Sequence, residues 1–146
     1  MPHLGPTSLA RLATCHPKLR AVVMYAISHT ETDFAVICGF RNQHDQDEAF
    51  ATGMSGVAWP DSAHNHTLLD GTPYSAAVDL CPWSEAEHRL EWEWDAGFSI
   101  IANAMIAAAA SLNVTLVRWP ITYITANGKR VSDLPHFELA PEEYAA

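Results

Sequence analysis

Basic residues are scarce in this chain of 146 residues. Eight Lys and Arg residues stand against 17 Asp and Glu residues, which gives a net charge of −9 with neutral histidine. A nucleic-acid interface needs a basic surface, and so does attachment to an anionic membrane. The sequence therefore predicts no nucleic-acid partner and no stable membrane association.

Paired cysteines are also lacking. Cys15, Cys38 and Cys81 are odd in number and far apart, and no two of them form a Cys-x-x-Cys pair. This spacing argues against a disulfide framework and against a thiolate zinc site. We interpret all three as inert thiols of a reducing compartment, although Cys81 lies two residues from Asp79.

The sequence also lacks the features of a secretory signal and of a membrane-spanning helix. The N-terminal stretch MPHLGPTSLARL has no basic start followed by an apolar run, so no secretory signal is predicted. The most apolar segment, 98–112, is alanine-rich and shorter than the roughly 20 residues that a spanning helix needs. We expect synthesis in the cytoplasm.

What the chain does have is enough apolar sequence for a core and an excess of histidine. Hydrophobic residues make up 49% of the chain and charged residues 17%, which is typical of one folded domain over 1–146. Eight histidines are many for this length, and they are the compositional hint of metal or acid–base chemistry.

Hydrophobic periodicity and turn residues predict an α+β fold in which a small antiparallel sheet packs with helices. A Ser84–Glu87 capping box predicts the start of a dominant helix that reaches about Leu112 and has Leu90 and Trp94 on its apolar face. The long segment 54–75 has the composition of a functional loop. Shorter helices are predicted at 9–14, 17–30 and 46–53, and strands at 33–41, 76–81, 114–120, 121–130 and 136–139.

Histidines and acids recur in three of these segments. His136 follows Asp133 by three residues, with Pro135 restricting the backbone between them. The long loop supplies His64 and His66, and the next strand supplies Asp79 within an apolar setting, where an unpaired carboxylate would be costly. Two histidines and one aspartate can hold zinc and leave a fourth position for water, which is the catalytic pattern. Either loop histidine satisfies this pattern.

The ordered set of these motifs resembles the zinc D-Ala-D-Ala metallopeptidases, peptidase family M15, which include phage endolysins that cut L-alanyl-D-glutamate bonds. The resemblance covers most of the chain and extends to the Hedgehog/DD-peptidase fold. It rests on CGFR at 38–41 with Gln46 following, GMS at 53–55, SAH at 62–64, AAVDL at 76–80, VRW at 117–119 and DLPHFEL at 133–139.

The resemblance implies a role for each matching residue. His64, Asp79 and His136 would bind Zn2+, Asp133 would be the general base and acid, and Arg41 would stabilise the developing oxyanion or hold the substrate carbonyl. The resemblance also implies substrate contacts for four residues of the matching motifs: Arg41, Gln46, Ser62 and Trp119. Glu138 is interpreted as structural, on the last strand.

Two departures from the family pattern stand out. The family separates its first histidine from its aspartate by seven residues, whereas His64 and Asp79 are fifteen apart, with 65–75 inserted between them. Closing a longer loop adds little cost in free energy. Ser62 favours His64 over His66 as the first ligand. The glycines of the endolysin motif Trp-Gly-Gly-x-Trp are missing after Trp119.

The expected function is therefore hydrolysis of the L-alanyl-D-glutamate bond of the peptidoglycan stem peptide by a zinc-dependent phage endolysin. It would be a monomer with a single catalytic domain and no separate wall-binding domain, made in the host cytoplasm and acting on the cell wall after release. The alternatives are a D-alanyl-D-alanine carboxypeptidase or dipeptidase of the same family, and a non-catalytic zinc-containing module that binds the cell wall or belongs to the virion.

Overall fold

A computed structural model describes residues 2–144, and within them helices and strands build an α+β fold. The fold class predicted from the sequence is confirmed. The α-helices are α1 (Pro6–Leu12), α2 (Pro17–His29), α3 (Gln43–Ala51) and α4 (Asp95–Leu112). The strands are β1 (Phe34–Cys38), β2 (Ala77–Ser84), β3 (Arg89–Leu90), β4 (Ile121–Ile124), β5 (Arg130–Asp133) and β6 (His136–Glu138).

Strand β2 is the centre of the main sheet. It pairs antiparallel with β1, with β6 and, at its end, with β3, while β4 and β5 form a separate hairpin. Asp79 of β2 is the register partner of Cys38 on β1 and of His136 on β6. One position of the sheet therefore brings three polar side chains from three strands together.

The core lies between one face of this sheet and the helices. Because neighbouring residues of a strand point to opposite faces, Val78 and Leu80 are fully buried in the core, and Asp79 between them faces the other side. Helices α2 and α4 pack against each other over the same core. Their buried contributions include Leu19, Val22, Val23, Phe98, Ile101 and Met105.

Helix α4 begins eleven residues later than the sequence pattern predicts, so the predicted start at Ser84 is wrong. Strand β2 continues through Ser84 instead, and the Ser84 hydroxyl accepts a hydrogen bond from the Glu87 backbone amide within a turn that leads to β3. A serine that caps a tight turn has the same local pattern as one that caps a helix. Neither Trp92 nor Trp94 belongs to the core, since their exposed fractions are 47% and 41%.

The predicted strand at 114–120 is also wrong. This segment runs beside β6 with an isolated bridge between Leu116 and Leu139, and the Val117 amide donates to the Glu138 carbonyl. Helix α4 is the one helix of residues 2–144 that is long and apolar enough by composition to cross a membrane, a test that a core helix such as this one also passes.

Candidate active site

Three side chains converge on one point beside the sheet. The Nε2 atom of His64 lies 3.2 Å from Asp79 Oδ1 and 3.2 Å from His136 Nδ1, and His136 Nδ1 lies 3.3 Å from Asp79 Oδ1. His64 and His136 are 1% and 8% exposed. The structure thus brings together the three residues for which zinc binding was predicted, from two strands and a loop.

Local contacts of the loop aim His64 at this point. His64 lies in a 3-10 turn, Ala63–Asn65, where the Ser62 hydroxyl accepts a hydrogen bond from the His64 backbone amide. Its ring donates from Nδ1 to the Gly39 carbonyl at 2.7 Å, which leaves Nε2 facing Asp79 and His136. The ring of the rival His66 instead packs edge-on against Tyr144.

The insertion after His64 forms a small loop of its own. The Thr67–Pro73 bridge and the hydrogen bond from the Leu68 amide to the Thr72 carbonyl close it, and Leu69 at its tip is fully exposed. The Ala76 amide then donates to the Ala63 carbonyl, so the two ends of the insertion meet again next to the turn. The inserted segment therefore begins and ends beside the His64 turn, which contacts β2.

The donor set fits a zinc ion. Two imidazole nitrogens and one carboxylate oxygen are zinc ligands, and an aspartate with two histidines leaves a further coordination position. The two histidine nitrogens face each other across 3.2 Å, an arrangement that a shared cation would stabilise. Cys38, with its sulfur 3.9 Å from His64 Nδ1, is close enough to His64 and Asp79 to belong to a metal-binding group.

Cys38 was missed as a cleft residue by the sequence analysis, which treated all three cysteines alike. The other two thiols are buried, and burial raises the pKa of both Cys15 and Cys81 to about 12. The signal that separates Cys38 is its position at the end of β1, opposite Asp79, which only strand pairing reveals.

The residues of the cluster shift one another's pKa values. Burial by itself would lower the pKa of His64, but the negative charge of Asp79 and the hydrogen bonds to Asp79 and Cys38 together outweigh it and raise this pKa to about 10. Burial likewise opposes the charged form of His136, yet hydrogen bonds to Asp79 and Glu138 raise its pKa to about 9. The same histidines hold the pKa of Asp79 well below its usual range, although burial acts in the opposite direction.

Two further acids flank His136. Asp133 Oδ2 lies 3.9 Å from His136 Nδ1, and burial, together with the nearby charge of Asp79, raises the pKa of Asp133 to about 6. Glu138 Oε1 lies 2.8 Å from His136 Nε2. The sequence analysis interpreted Glu138 only as a structural residue of the last strand and did not predict this contact. Each nitrogen of the His136 ring therefore faces a carboxylate.

Arg41 approaches the cluster from the end of β1. Its Nη2 atom lies 3.5 Å from Asp79 Oδ2, so Asp79 has a guanidinium neighbour as well as two histidines. Arg41 Nη1 donates at 3.0 Å to Gln46 Oε1. Gln46 is fully buried and donates to the Ser55 hydroxyl and the Val57 carbonyl, which anchors Arg41 to the loop after α3.

An open cleft of about 620 Å³ contains the cluster. Arg41, His64, Asp79, Asp133 and His136 line it. Its lining also includes a set of apolar side chains: Met54, Val57, Trp92, Ile121 and Tyr123.

The remaining predicted substrate-binding residues occupy different places. Ser62 lines the cleft and caps the His64 turn. Gln46 lies behind Arg41, and Trp119 lies behind β6, where its indole donates to the Leu134 carbonyl and stacks near Phe137. Contact of these two side chains with substrate stays a prediction, since their observed contacts are with the residues that support the site.

An α+β fold whose cleft joins histidines, acids and an arginine has the groups that a hydrolase of the peptidase class uses. A sequence model of the phage L-alanyl-D-glutamate peptidase family matches residues 2–140, and the chain belongs to that family. It is a peptidoglycan peptidase of the endolysin type.

A solved structure agrees with this assignment. The crystal structure of the Serratia marcescens L-Ala D-Glu endopeptidase ChiX is similar over 99% of this chain and 95% of that chain, with a TM-score of 0.74 and 26% sequence identity. A comparison with curated protein sequences gives no significant match.

Proposed function

We propose that this chain hydrolyses the amide bond between L-alanine and D-glutamate in the peptidoglycan stem peptide, with zinc as its cofactor. The family supports the choice of bond over the D-alanyl-D-alanine alternative. The observation that carries the zinc dependence is the convergence of His64 Nε2, Asp79 Oδ1 and His136 Nδ1 within 3.3 Å, beside Asp133 in an open cleft.

These three atoms would hold the ion. When bound at such a site, zinc supplies Lewis-acid chemistry, which activates water near neutral pH and polarises a carbonyl. His64 and His136 present different ring nitrogens to it, Nε2 and Nδ1, because their other nitrogens donate to the Gly39 carbonyl and to Glu138. Asp79 would contribute Oδ1, while its Oδ2 lies 3.5 Å from Arg41 Nη2.

Asp133 would move the proton. Its carboxylate lies at the edge of the cluster without taking part in the three-atom convergence, and its raised pKa of about 6 is close to neutral. A group with such a pKa can accept a proton from the attacking water and return it to the leaving amine. These are the two proton transfers that amide hydrolysis requires.

Arg41 would bind the substrate carbonyl and stabilise the negative charge that develops on its oxygen. A guanidinium offers a fixed fork of donors, and Gln46 holds one of its arms in place. The other arm, Nη2, lies 3.5 Å from Asp79 Oδ2. The guanidinium therefore lines the cleft beside the cluster.

The partner and the place of action follow from this proposal. The substrate is the peptidoglycan stem peptide, reached after release of the protein from the cytoplasm to the cell wall. We propose that the chain acts as a monomer through one catalytic domain.

The test is digestion of purified peptidoglycan by the zinc-loaded protein, with mass spectrometry of the new termini. We expect new free amino groups on glutamate. Release of D-alanine would instead assign the carboxypeptidase activity, and a zinc-loaded protein that yields no products would overturn the enzymatic proposal. Elemental analysis after mild purification tests the cofactor, because a protein without zinc that still cleaves would contradict zinc dependence.

A further inference from the structure

The His136 ring has two nitrogens with different partners. Nδ1 faces Asp79 and His64, whereas Nε2 lies 2.8 Å from Glu138 Oε1. An ionised carboxylate has only acceptors, so Nε2 must carry the proton in this contact. In a neutral imidazole the other nitrogen then has the free lone pair. The contact with Glu138 therefore selects the tautomer that offers Nδ1 to the cluster.

Strand geometry explains why Glu138 can make this contact. His136 and Glu138 are two residues apart on β6, so their side chains leave the same face of the strand, and both line the cleft. Phe137 between them points into the core and is 2% exposed. Glu138 is paired in register with Ala77, whose small side chain does not compete for the space beside His136.

The Glu138 carboxylate has no Lys or Arg partner among residues 2–144. Among residues 2–144, the ion-pair partner of Glu138 is His136 alone, and its side chain is 23% exposed. A mostly buried carboxylate without a Lys or Arg partner is costly unless another group satisfies it. The observed hydrogen bond to Nε2 satisfies it.

We propose that Glu138 is a positioning residue that fixes the tautomer and the ring orientation of His136 for metal binding, a role that rests on the zinc site proposed above. Carboxylates that hold the distal nitrogen of a metal-binding histidine also make the ligand more basic, and losing one typically lowers metal affinity 10- to 100-fold. The Glu138 side chain does not touch the three-atom cluster, so its effect passes through the His136 ring.

The experiment compares Glu138→Ala and Glu138→Gln with the wild-type protein. Zinc affinity is measured by competition with a chromophoric chelator. We expect Glu138→Ala to bind zinc about 10- to 100-fold more weakly. Glu138→Gln should fall between the two, because its amide oxygen still accepts from Nε2 without the negative charge. Glu142→Ala, an exposed acid in the C-terminal turn, is the matched control and should keep wild-type affinity.

A spectroscopic readout separates positioning from general stability. In zinc-saturated protein labelled with 15N, we expect the Nε2 proton of His136 to be observable in wild type and Glu138→Gln, and to be lost by exchange in Glu138→Ala. Far-UV circular dichroism checks that each variant folds.

The possible failures are distinguishable. If Glu138→Ala keeps wild-type zinc affinity and the same His136 proton signal, the positioning role is wrong while the zinc site stands. If the wild-type protein binds no zinc, or His136→Ala binds it as tightly as wild type, the proposed metal site is wrong and the role of Glu138 falls with it.

Discussion

At the scale of single residues, Asp133 is the acid whose role is separable from metal binding. It lies beside His136 but outside the three-atom cluster. We expect Asp133→Asn to retain zinc and to lose activity by a factor of about 10² to 10⁴, the usual contribution of a general acid–base group. Turnover of a soluble stem peptide and the zinc content of the same sample check this.

Asp61 offers the matched control for that experiment, because it also lines the cleft and does not contact the cluster. Asp61→Asn should keep most of the activity. If Asp133→Asn is as active as Asp61→Asn, the proton-transfer role belongs to another group.

Gly39 is the second residue whose effect can be stated from its surroundings. A Cβ at this position would collide with the Thr14 side chain and the Arg11 carbonyl, and the Gly39 carbonyl accepts the Nδ1 proton of His64. We expect Gly39→Ala to lower the free energy of unfolding by about 1–3 kcal/mol, as overpacking does, and to weaken zinc binding through the displaced carbonyl.

Urea unfolding and chelator competition measure the two effects. Gly5→Ala is the control, since nothing lies within 4 Å of a Cβ there. If the two variants have the same free energy of unfolding, the residues around Gly39 accommodate the added methyl group without loss of stability, and the prediction is wrong.

At the scale of elements, the segment between β2 and α4 differs most from the sequence-based prediction, and the difference has a functional consequence. The segment is not helical, and it carries Trp92 to the cleft while Trp94 lies over Gly97 at the start of α4. Both indoles are nearly half exposed. A helix starting at Ser84 would have placed the two rings quite differently.

We expect Trp92→Ala to raise KM for soluble muropeptides about 3- to 10-fold with little change in kcat, because it removes apolar contact made equally in the ground and transition states. Trp94→Ala is the matched control, as an exposed indole outside the cleft, and should leave KM unchanged. Steady-state kinetics on both variants measure KM. If the two variants have the same KM, Trp92 does not contact the substrate.

The elements that the sequence predicted well are those with a strong local signal. The sequence placed α2 almost at its observed bounds because Pro17 begins it and its apolar spacing is helical. The segment 114–120 has the composition of a strand, yet its hydrogen bonds to β6 are too few to make one. Whether such a segment pairs fully depends on neighbours far along the chain, and local propensity does not contain that information.

At the scale of the whole molecule, the proposed zinc binding should be coupled to proton binding. The charge of Asp79 and the hydrogen bonds to Asp79 and Glu138 raise the pKa of His64 to about 10 and that of His136 to about 9, which favours the protonated rings when no zinc is bound. Zinc needs the neutral imidazole. We therefore expect binding at pH 7 to release about two protons per ion, and zinc affinity to fall as the pH is lowered.

Isothermal titration calorimetry in two buffers of different ionisation enthalpy measures this release. His44→Ala, which removes an exposed histidine outside the cluster, should behave like wild type. An enthalpy that is the same in both buffers would contradict the coupling.

The sequence by itself determined the family, the fold class and the order of the site motifs, because residue types and short spacings such as Asp133 to His136 are local properties. Only the tertiary structure decided which atoms meet. Pairing of β2 with β1 and β6 brings Cys38, Asp79 and His136 together, and the closed insertion returns His64 to the same point rather than His66. Such contacts join residues up to 72 positions apart, and they form because burying the core fixes strand register, which no short stretch of sequence specifies.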